Sequence, residues 1–234
     1  MKRYFIIHHL GLGDHIVCNG LVRELLKECD ILFFPVKHHN VDNIRYMLKD
    51  VSEKIQYIPI SNDSEMLQQY QHYQNKIDKT IRLGNFIGKN WLKKREHFCE
   101  AFYRHAGVAY DKRWESFYIE YDKNSFVDHN NKMYNFLHED KSRNYLIDDK
   151  YKLHPYYEPD HVLGQSSSAT IFDYYNIINQ SNIIHCMDSS FCLWIDHVDA
   201  LKNKEKYIHR YAKERKLHNG GLWPKYKNNW SIIK

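Results

Sequence analysis

The chain has 234 residues, of which 43% are hydrophobic and 27% charged, so it has enough apolar material for one large core or two small ones. Its net charge of +5, from 34 Lys and Arg against 29 Asp and Glu residues, suits a phosphate-bearing ligand but is too weak to indicate a nucleic-acid partner. The five cysteines are odd in number and contain no CxxC pair, which argues against a zinc knuckle or a disulfide framework and predicts reduced thiols.

The N-terminal sequence does not have the apolar stretch of a secretory signal, because the run at residues 5–7 gives way at once to His8 and His9. No segment of the sequence approaches the ~20 apolar residues of a transmembrane helix. We therefore expect a cytoplasmic protein, with peripheral contact to a membrane surface left open by its basic and aromatic residues.

Strands and helices are predicted to alternate through the first half of the chain. Residues 4–10 form an apolar run typical of a buried strand, 11–14 a glycine-rich turn, and 15–28 a helix with apolar residues at four-residue spacing. Further strands are predicted at 30–36, 55–60 and 79–83, and further helices near 44–48, 66–77 and 91–106, with Gly107 as the C-cap of the last. This alternation predicts a parallel sheet covered on both faces.

The same rhythm returns after a polar linker at residues 122–131. Strands are predicted at 132–138, 183–187 and 206–211, an edge strand at 230–233, and a helix at 170–180 that opens with a Thr170–Asp173 capping box. The sequence thus predicts an α/β fold of two Rossmann-like lobes with a cleft between them, residues 1–121 and 122–234. A single large α/β domain is the alternative.

The turn after the first strand carries the first candidate site. In open α/β sheets ligands bind beyond the carboxyl ends of the strands, where glycines allow close approach and helix amides favour anions. The segment Gly11-Leu12-Gly13-Asp14 lacks the third glycine of a dinucleotide motif and the GK[ST] of a P-loop, which argues against NAD and ATP. Asp14 is either a helix N-cap or a catalytic base, and the two roles are compatible.

The second candidate site follows the predicted strand at 183–187. There Asp188, Ser189 and Ser190 lead into the next helix. Two hydroxyls and free helix amides can hold a phosphate, and an ordinary Asp/Ser helix cap explains the same residues.

Together the two segments resemble the heptosyltransferase family of bacterial lipopolysaccharide synthesis. The family has a GD pair after its first strand and a helix ending in a Leu-rich run, here HLGLGDHIVCNGLVRELLK. Its second lobe carries a D-[ST]-G-x-x-H segment, matched in part by Asp188-Ser189-Ser190. This chain has Ser190 where the family has Gly, and Trp194 or its neighbours where the family has His. A third match is HEDKSRNY, in which Lys141 stands near a basic position that faces the donor phosphates in the family.

The resemblance implies a GT-B glycosyltransferase that is metal-independent and inverting, although family members are longer than this chain. Its C-terminal lobe would hold a nucleoside-diphosphate sugar as co-substrate, with no other cofactor and no metal, and its N-terminal lobe a glycan or glycolipid acceptor. Asp14 would be the base. The remaining expected contacts are Gly13, Lys141, Arg143, Ser189 and Ser190 to the donor diphosphate, His138, Asp188, Arg210 and Tyr211 to the donor sugar or nucleotide, and His9 and His15 on the acceptor side.

Two other classes of function are also compatible with the sequence. A non-catalytic nucleotide-sugar or glycan-binding module, and a metal-dependent α/β phosphate hydrolase, fit the same outline. Adjacent histidines such as His8 and His9 point to opposite sides of a strand, so such a pair does not form a metal site by itself. The side chains of Trp91, Trp114, Trp223 and Trp230 either stack on sugars or fill the core.

Overall fold

The structure is a computed structural model that describes residues 1–93, 95–122, 135–138, 170–180, 183–187, 189–209 and 225–233. The described residues fall into two compact units. The first is Met1–Glu120 together with Lys225, and the second comprises the described residues from Tyr121 to His209 together with residues 226–233.

A parallel sheet with the strand order β3-β2-β1-β4 forms the centre of the first unit. The strands are β1 Arg3–Ile7, β2 Ile31–Lys37, β3 Ile55–Ile60 and β4 Lys79–Arg82. Phe5, Ile6 and Ile7 of the central strand β1 are completely buried. Such burial follows from a continuous apolar run, because a parallel sheet is covered on both faces.

Helices cover this sheet and set the position of Asp14. They are α1 Leu12–Val17, α2 Asn19–Glu28, α3 Val41–Met47, α4 Asp63–Tyr73, α5 Phe98–Ala106 and α6 Lys112–Glu115. The helix after β1 begins at Leu12, three residues earlier than expected, and is interrupted at Cys18. Gly11 occupies the N-cap position with an extended backbone, so Asp14 lies inside the first turn of α1 and is not its N-cap.

Short 3₁₀ turns join these elements at 38–40, 49–54, 74–76 and 84–87. The predicted helix at 91–106 begins only at Phe98, where His97 and Glu100 form a capping box. Gly107 takes the left-handed backbone (φ +71) of a helix C-cap, as the sequence predicts.

The second unit is built on another parallel sheet, with the strand order β5-β6-β7-β8 among the described residues. Its strands are β5 Asn135–His138, β6 Ile183–Met187, β7 Glu205–His209 and β8 Ser231–Ile233. The helical segments are a 3₁₀ turn at Ile171–Tyr174, α7 Tyr175–Gln180, α8 Ser190–His197 and a 3₁₀ turn at Asp199–Leu201. The Thr170–Asp173 capping box is present as expected.

A buried carboxylate on α8 ties the end of the chain to the second unit. Asp196 is 0% exposed and accepts hydrogen bonds from the backbone N–H of Lys227 (2.7 Å) and Asn228 (3.0 Å) and from Nε1 of Trp230 (3.0 Å). These bonds fix the segment that leads into β8. The α/β class and the parallel sheets are thus as the sequence predicts, and none of the helices in the described part of the chain has the length and apolar character needed to cross a bilayer.

Candidate active site

The loop between β1 and α1 leaves the carboxyl edge of the first sheet between β2 and β4. Asn40 holds it from the β2 side by donating from Nδ2 to the carbonyl of Leu10 at 3.1 Å. On the β4 side, the backbone N–H of Asn85 donates to Nε2 of His9 at 3.4 Å. Because both flanks are anchored, the backbone that presents Asp14 is fixed before any ligand arrives.

The carboxylate of Asp14 folds back over the start of its own helix. A Cβ atom added to Gly11 would lie 2.7 Å from Oδ2 of Asp14, closer than Cβ atoms approach other heavy atoms. The half-buried carboxylate therefore occupies the space that the glycine leaves open at the N-terminal end of α1. The amide groups of a first helical turn stabilise a negative charge there, which keeps a carboxylate ready to accept a proton.

Two buried thiols lie within electrostatic range of Asp14 but are poor nucleophiles. Burial, and after it the charge of Asp14, raises the pKa of the Cys18 thiol well above its ordinary value. Burial likewise raises the pKa of Cys99 to about 12. Since the thiolate is the reactive form, Asp14 is the better candidate for proton transfer at this edge.

His8 and His15 form a buried, neutral pair behind the loop. Their rings meet edge to face with centroids 4.6 Å apart, and both side chains are 0% exposed. Burial lowers the pKa of His8 to about 3, and burial together with His8 lowers the pKa of His15 well below its ordinary value. Nδ1 of His8 and both ring nitrogens of His15 have no hydrogen-bond partner among the described residues. Because the His15 ring is completely buried, the structure does not favour the predicted contact between His15 and the acceptor.

His9 lies on the other side of β1, in a group of aromatic rings. Its ring stacks on Phe102 (centroids 5.5 Å apart, 19° between planes) and lies 5.6 Å from Phe86 and 6.0 Å from Trp91. We call His9, Phe86, Trp91 and Phe102 the aromatic cluster. His9, Phe86 and Trp91 are partly exposed, so the cluster is accessible at the carboxyl edge of the sheet.

Gly84, directly after β4, makes the position of His9 possible. Its backbone is left-handed (φ +63), and a Cβ atom there would lie 2.2 Å from Nε2 of His9. Its N–H donates to Nδ1 of His105 at 3.1 Å. Gly84 is thus required both by its backbone conformation and by the close approach of the imidazole.

The carboxyl ends of β5, β6 and β7 lie together at one edge of the sheet in the second unit. His138 pairs in register with Cys186, and Met187 with His209, so these strands end side by side. Ser189 is the N-cap of α8, with its hydroxyl accepting from the N–H of Phe191 at 3.3 Å. Ser190 is the first residue of the helix and is partly exposed. The cap explanation for Ser189 is therefore correct, and phosphate binding at this helix end stays a prediction.

The remaining predicted donor residues lie outside the described residues, namely Lys141, Arg143, Asp188, Arg210 and Tyr211. For His138 the backbone is described but not the side chain. Gly13 is in the first turn of α1, directly before Asp14, and is partly exposed. In the described part of the chain, no group of three or more His, Cys, Asp or Glu side chains is arranged to hold a metal ion.

The sequence indicates Asp14 as a candidate base but does not predict two features of its surroundings. The first is the contact between Asp14 and Gly11, since a loop glycine alone does not reveal which side chain uses its space. The second is the aromatic cluster. A glycine and an asparagine directly after the predicted strand at 79–83 signal a turn, but not the ring that packs against it.

The fold of the chain is similar to that of a known glycosyltransferase structure, the glycosyl transferase family 9 protein from Veillonella parvula DSM 2008. The TM-score is 0.54 at 10% sequence identity, over 99% of this chain and 86% of the other. E. coli heptosyltransferase WaaC with ADP-2-deoxy-2-fluoro heptose gives a TM-score of 0.49 at 10% identity, over 100% and 93%. No protein-family model matches the chain, and no curated protein matches it in sequence. At this identity the likeness is one of fold.

Proposed function

We propose that the chain is a two-lobed GT-B glycosyltransferase. It transfers a sugar from a nucleoside-diphosphate sugar to a hydroxyl group of a glycan or glycolipid acceptor, without a metal and with inversion at the anomeric carbon. The observation that carries the proposal is the Asp14 carboxylate, held in the first turn of α1 beyond the carboxyl end of β1. The likeness in fold to a glycosyl transferase family 9 structure supports the same conclusion.

Asp14 acts as the general base in this proposal. The acceptor hydroxyl gives its proton to the carboxylate as its oxygen forms a bond to the anomeric carbon. The bond from that carbon to the diphosphate breaks on the opposite face, and its electron pair leaves with the diphosphate. A single displacement of this kind inverts the configuration. The first turn of α1 keeps the carboxylate negatively charged until it takes the proton.

The second unit binds the donor. The N-terminal end of α8, with Ser190 as its first residue, favours the negative charge that develops on the leaving diphosphate. Lys141, Arg143, Ser189 and the amide of Gly13 add to this stabilisation. His138, Asp188, Arg210 and Tyr211 contact the donor sugar or nucleotide. The nucleotide-sugar is a co-substrate, and no further cofactor is needed.

A cytoplasmic place of action belongs to the same proposal, at a membrane surface when the acceptor is a glycolipid. All five cysteines are buried and none of them forms a disulfide, which suits a reducing compartment.

A panel of UDP-, GDP-, ADP- and CMP-sugars tests the proposal by thermal shift and by product formation. A donor at a hundred times its dissociation constant stabilises the folded chain by about 2.7 kcal/mol. We expect one nucleotide class to give this shift and to support transfer that persists in EDTA. Hydrolysis of the donor without transfer, abolished by EDTA, would instead favour the metal-dependent hydrolase class, and a shift without turnover would favour a binding module.

The Asp14→Asn variant tests the base directly. Asparagine has the shape of aspartate but cannot accept the proton, so we expect transfer to fall by at least about a hundredfold while donor binding stays unchanged. A folded variant that keeps full transfer activity would show that Asp14 is not the base.

A further inference from the structure

We propose that the aromatic cluster binds a pyranose ring of the acceptor, with the indole of Trp91 stacking on the apolar C–H face of the sugar. This inference rests on the proposed function, because it assigns the acceptor to the unit that contains Asp14. It adds a substrate-binding surface to the site.

The rings of the cluster are arranged as a supported surface. Phe102 is 1% exposed and lies nearly parallel to both partly exposed rings, with Trp91 at 6.3 Å and 25° and His9 at 5.5 Å and 19°. Phe98 packs edge to face on Phe102 at 5.5 Å. The outer rings therefore rest on a buried aromatic core. Sites for small ligands combine such an aromatic wall with a few directed polar groups.

Hydrogen bonds hold the backbone of Trp91 in place before a ligand binds. Its carbonyl accepts from Nη2 of Arg104 and from Nε2 of His105, both at 3.0 Å. Because Nδ1 of His105 accepts from Gly84, Nε2 carries the hydrogen that it donates. Arg104 is itself fixed by two 2.8 Å bonds to the carboxylate of Glu96. The backbone that carries the indole is thereby ordered in the free protein, which favours ligand affinity.

The loop that carries Trp91 contains strained backbone. Arg95 has a φ of +65°, whereas the φ values of Gly84 (+63°) and Gly88 (+133°) cost a glycine nothing. A non-glycine residue in the left-handed region costs about 1 kcal/mol or more, and such strain concentrates at binding and catalytic sites. The loop is thus strained at Arg95, four residues after Trp91.

The polar groups at this edge suit a sugar acceptor. Nε2 of His9 accepts from Asn85, so Nδ1 carries the ring hydrogen and can donate to a hydroxyl or ring oxygen. The reacting hydroxyl must come within hydrogen-bond distance of Asp14, five residues along the same loop and helix from His9. A sugar ring that stacks on this cluster, in the unit that contains Asp14, is therefore assigned to the acceptor and not to the donor nucleobase.

Saturation-transfer NMR with methyl α- and β-pyranosides of glucose, galactose and mannose tests the surface, with sorbitol as the acyclic control and adenosine and uridine as nucleobase probes. We expect at least one pyranoside to receive saturation mainly on the protons of one face. Trp91→Ala should abolish this signal and Trp91→Phe should retain part of it. Ile87→Ala removes a 51% exposed apolar side chain from the preceding turn and should leave the signal unchanged. Circular dichroism and thermal melts check that each variant is folded.

Kinetics separates this surface from the base. In Trp91→Ala we expect the KM for the acceptor to rise by about tenfold, as for truncation of an aromatic anchor, while the KM for the donor stays within twofold. Pyranoside saturation that survives in Trp91→Ala, or no saturation of any pyranoside by the wild-type chain, would overturn the inference even if transfer is observed. Nucleoside saturation that depends on Trp91 would overturn it as well. Pyranoside saturation that depends on Trp91, in a chain that transfers no sugar, would support the surface and reject the proposed function.

Discussion

Oδ2 of Asp14 lies 2.7 Å from the point where a Cβ atom of Gly11 would be, so the carboxylate and a side chain at position 11 exclude each other. The backbone of Gly11 has φ −70° and ψ 146°, which any residue adopts without strain. Glycine is therefore needed at this position for the space it leaves to Asp14.

The Gly11→Ala variant should lose activity without losing stability. The added methyl group displaces a flexible carboxylate and not backbone, so we expect the unfolding free energy to change by less than about 1 kcal/mol. A base displaced by about 1 Å lowers the rate by up to about a hundredfold. The measurement is kcat/KM for transfer together with a denaturant melt. In the Asp14→Asn background the same substitution should cause no further loss, since both act through one group. Additive losses would show that Gly11 acts elsewhere.

Gly84→Ala should destabilise the first unit more than Gly107→Ala. Both glycines have left-handed backbones, with φ values of +63° and +71°, so the backbone strain of an alanine is about 1 kcal/mol at either position. Only at Gly84 does a Cβ atom also meet other groups, Nε2 of His9 at 2.2 Å and Cε1 of Phe102 at 3.1 Å, whereas the space at Gly107 is open. The difference between the two urea midpoints measures the cost of these contacts, of which the one with His9 is the closest. Equal midpoints would mean that His9 moves aside without cost.

The stability of the chain should fall as the pH is lowered from 7 to 5. The pKa of His8 is about 3 in the folded chain and near 6.5 when unfolded, so the unfolded state binds more protons between these values. Stability from the neutral ring is complete above pH 6.5 and is lost as the pH falls towards 3. For His8 alone we expect about 2 kcal/mol between pH 7 and pH 5, measured by denaturant melts.

His15→Leu provides the control for this pH dependence. Both nitrogens of His15 are without hydrogen-bond partners among the described residues, so leucine removes no recorded bond and should change stability at pH 7 by less than about 1 kcal/mol. It should also make the decline below pH 6 shallower by about 1.4 kcal/mol per pH unit, the contribution of one proton. An unchanged slope would show that His15 is protonated in the folded chain.

Asp196→Ala should release the C-terminal strand of the second unit. It leaves three partly buried N–H donors without their acceptor, which costs about 3 kcal/mol, whereas Asp196→Asn retains one amide oxygen and costs less. Amide hydrogen exchange of β8 should accelerate in the alanine variant. Asp199→Ala is the matched control, because Asp199 forms an exposed ion pair with Lys227 at 3.3 Å and its loss should cost less than about 0.5 kcal/mol. Equal effects of the two variants would contradict the anchoring role of Asp196.

The sequence predicts most of the secondary structure because local signals and the fold agree there. Each of these signals determines the structure of only a few neighbouring residues. Examples are the apolar run of β1, the C-cap glycine Gly107 and the Thr170–Asp173 capping box. Because successive side chains of a strand point to opposite faces, the sequence also predicts that His8 and His9 face different neighbours. In the structure His8 packs on Phe34 and His9 on Phe102.

Long-range contacts decide what the sequence does not predict. Residues 91–93 and 95–97 have no strong helix breaker, yet they lie outside the helix, and Arg104 of the following helix binds Glu96 and the carbonyl of Trp91. The side chain of Asp14 occupies space that is open because Gly11 has no side chain. The ring of His9 likewise occupies space that is open because Gly84 has none. Such complementarity between an empty space and a distant group leaves no periodic signal in a sequence.

The reactivity of the buried thiols reports when the structure around them opens. Cys18, Cys99, Cys186 and Cys192 are 0% exposed and Cys29 is 5% exposed, so a maleimide reagent reaches them only when the surrounding structure opens. Cys18, Cys29 and Cys99 belong to the first unit, whereas Cys186 and Cys192 belong to the second. Alkylation followed by peptide mass spectrometry would therefore time the opening of each unit separately, and a bound donor or acceptor would reveal its unit by the cysteines that it protects.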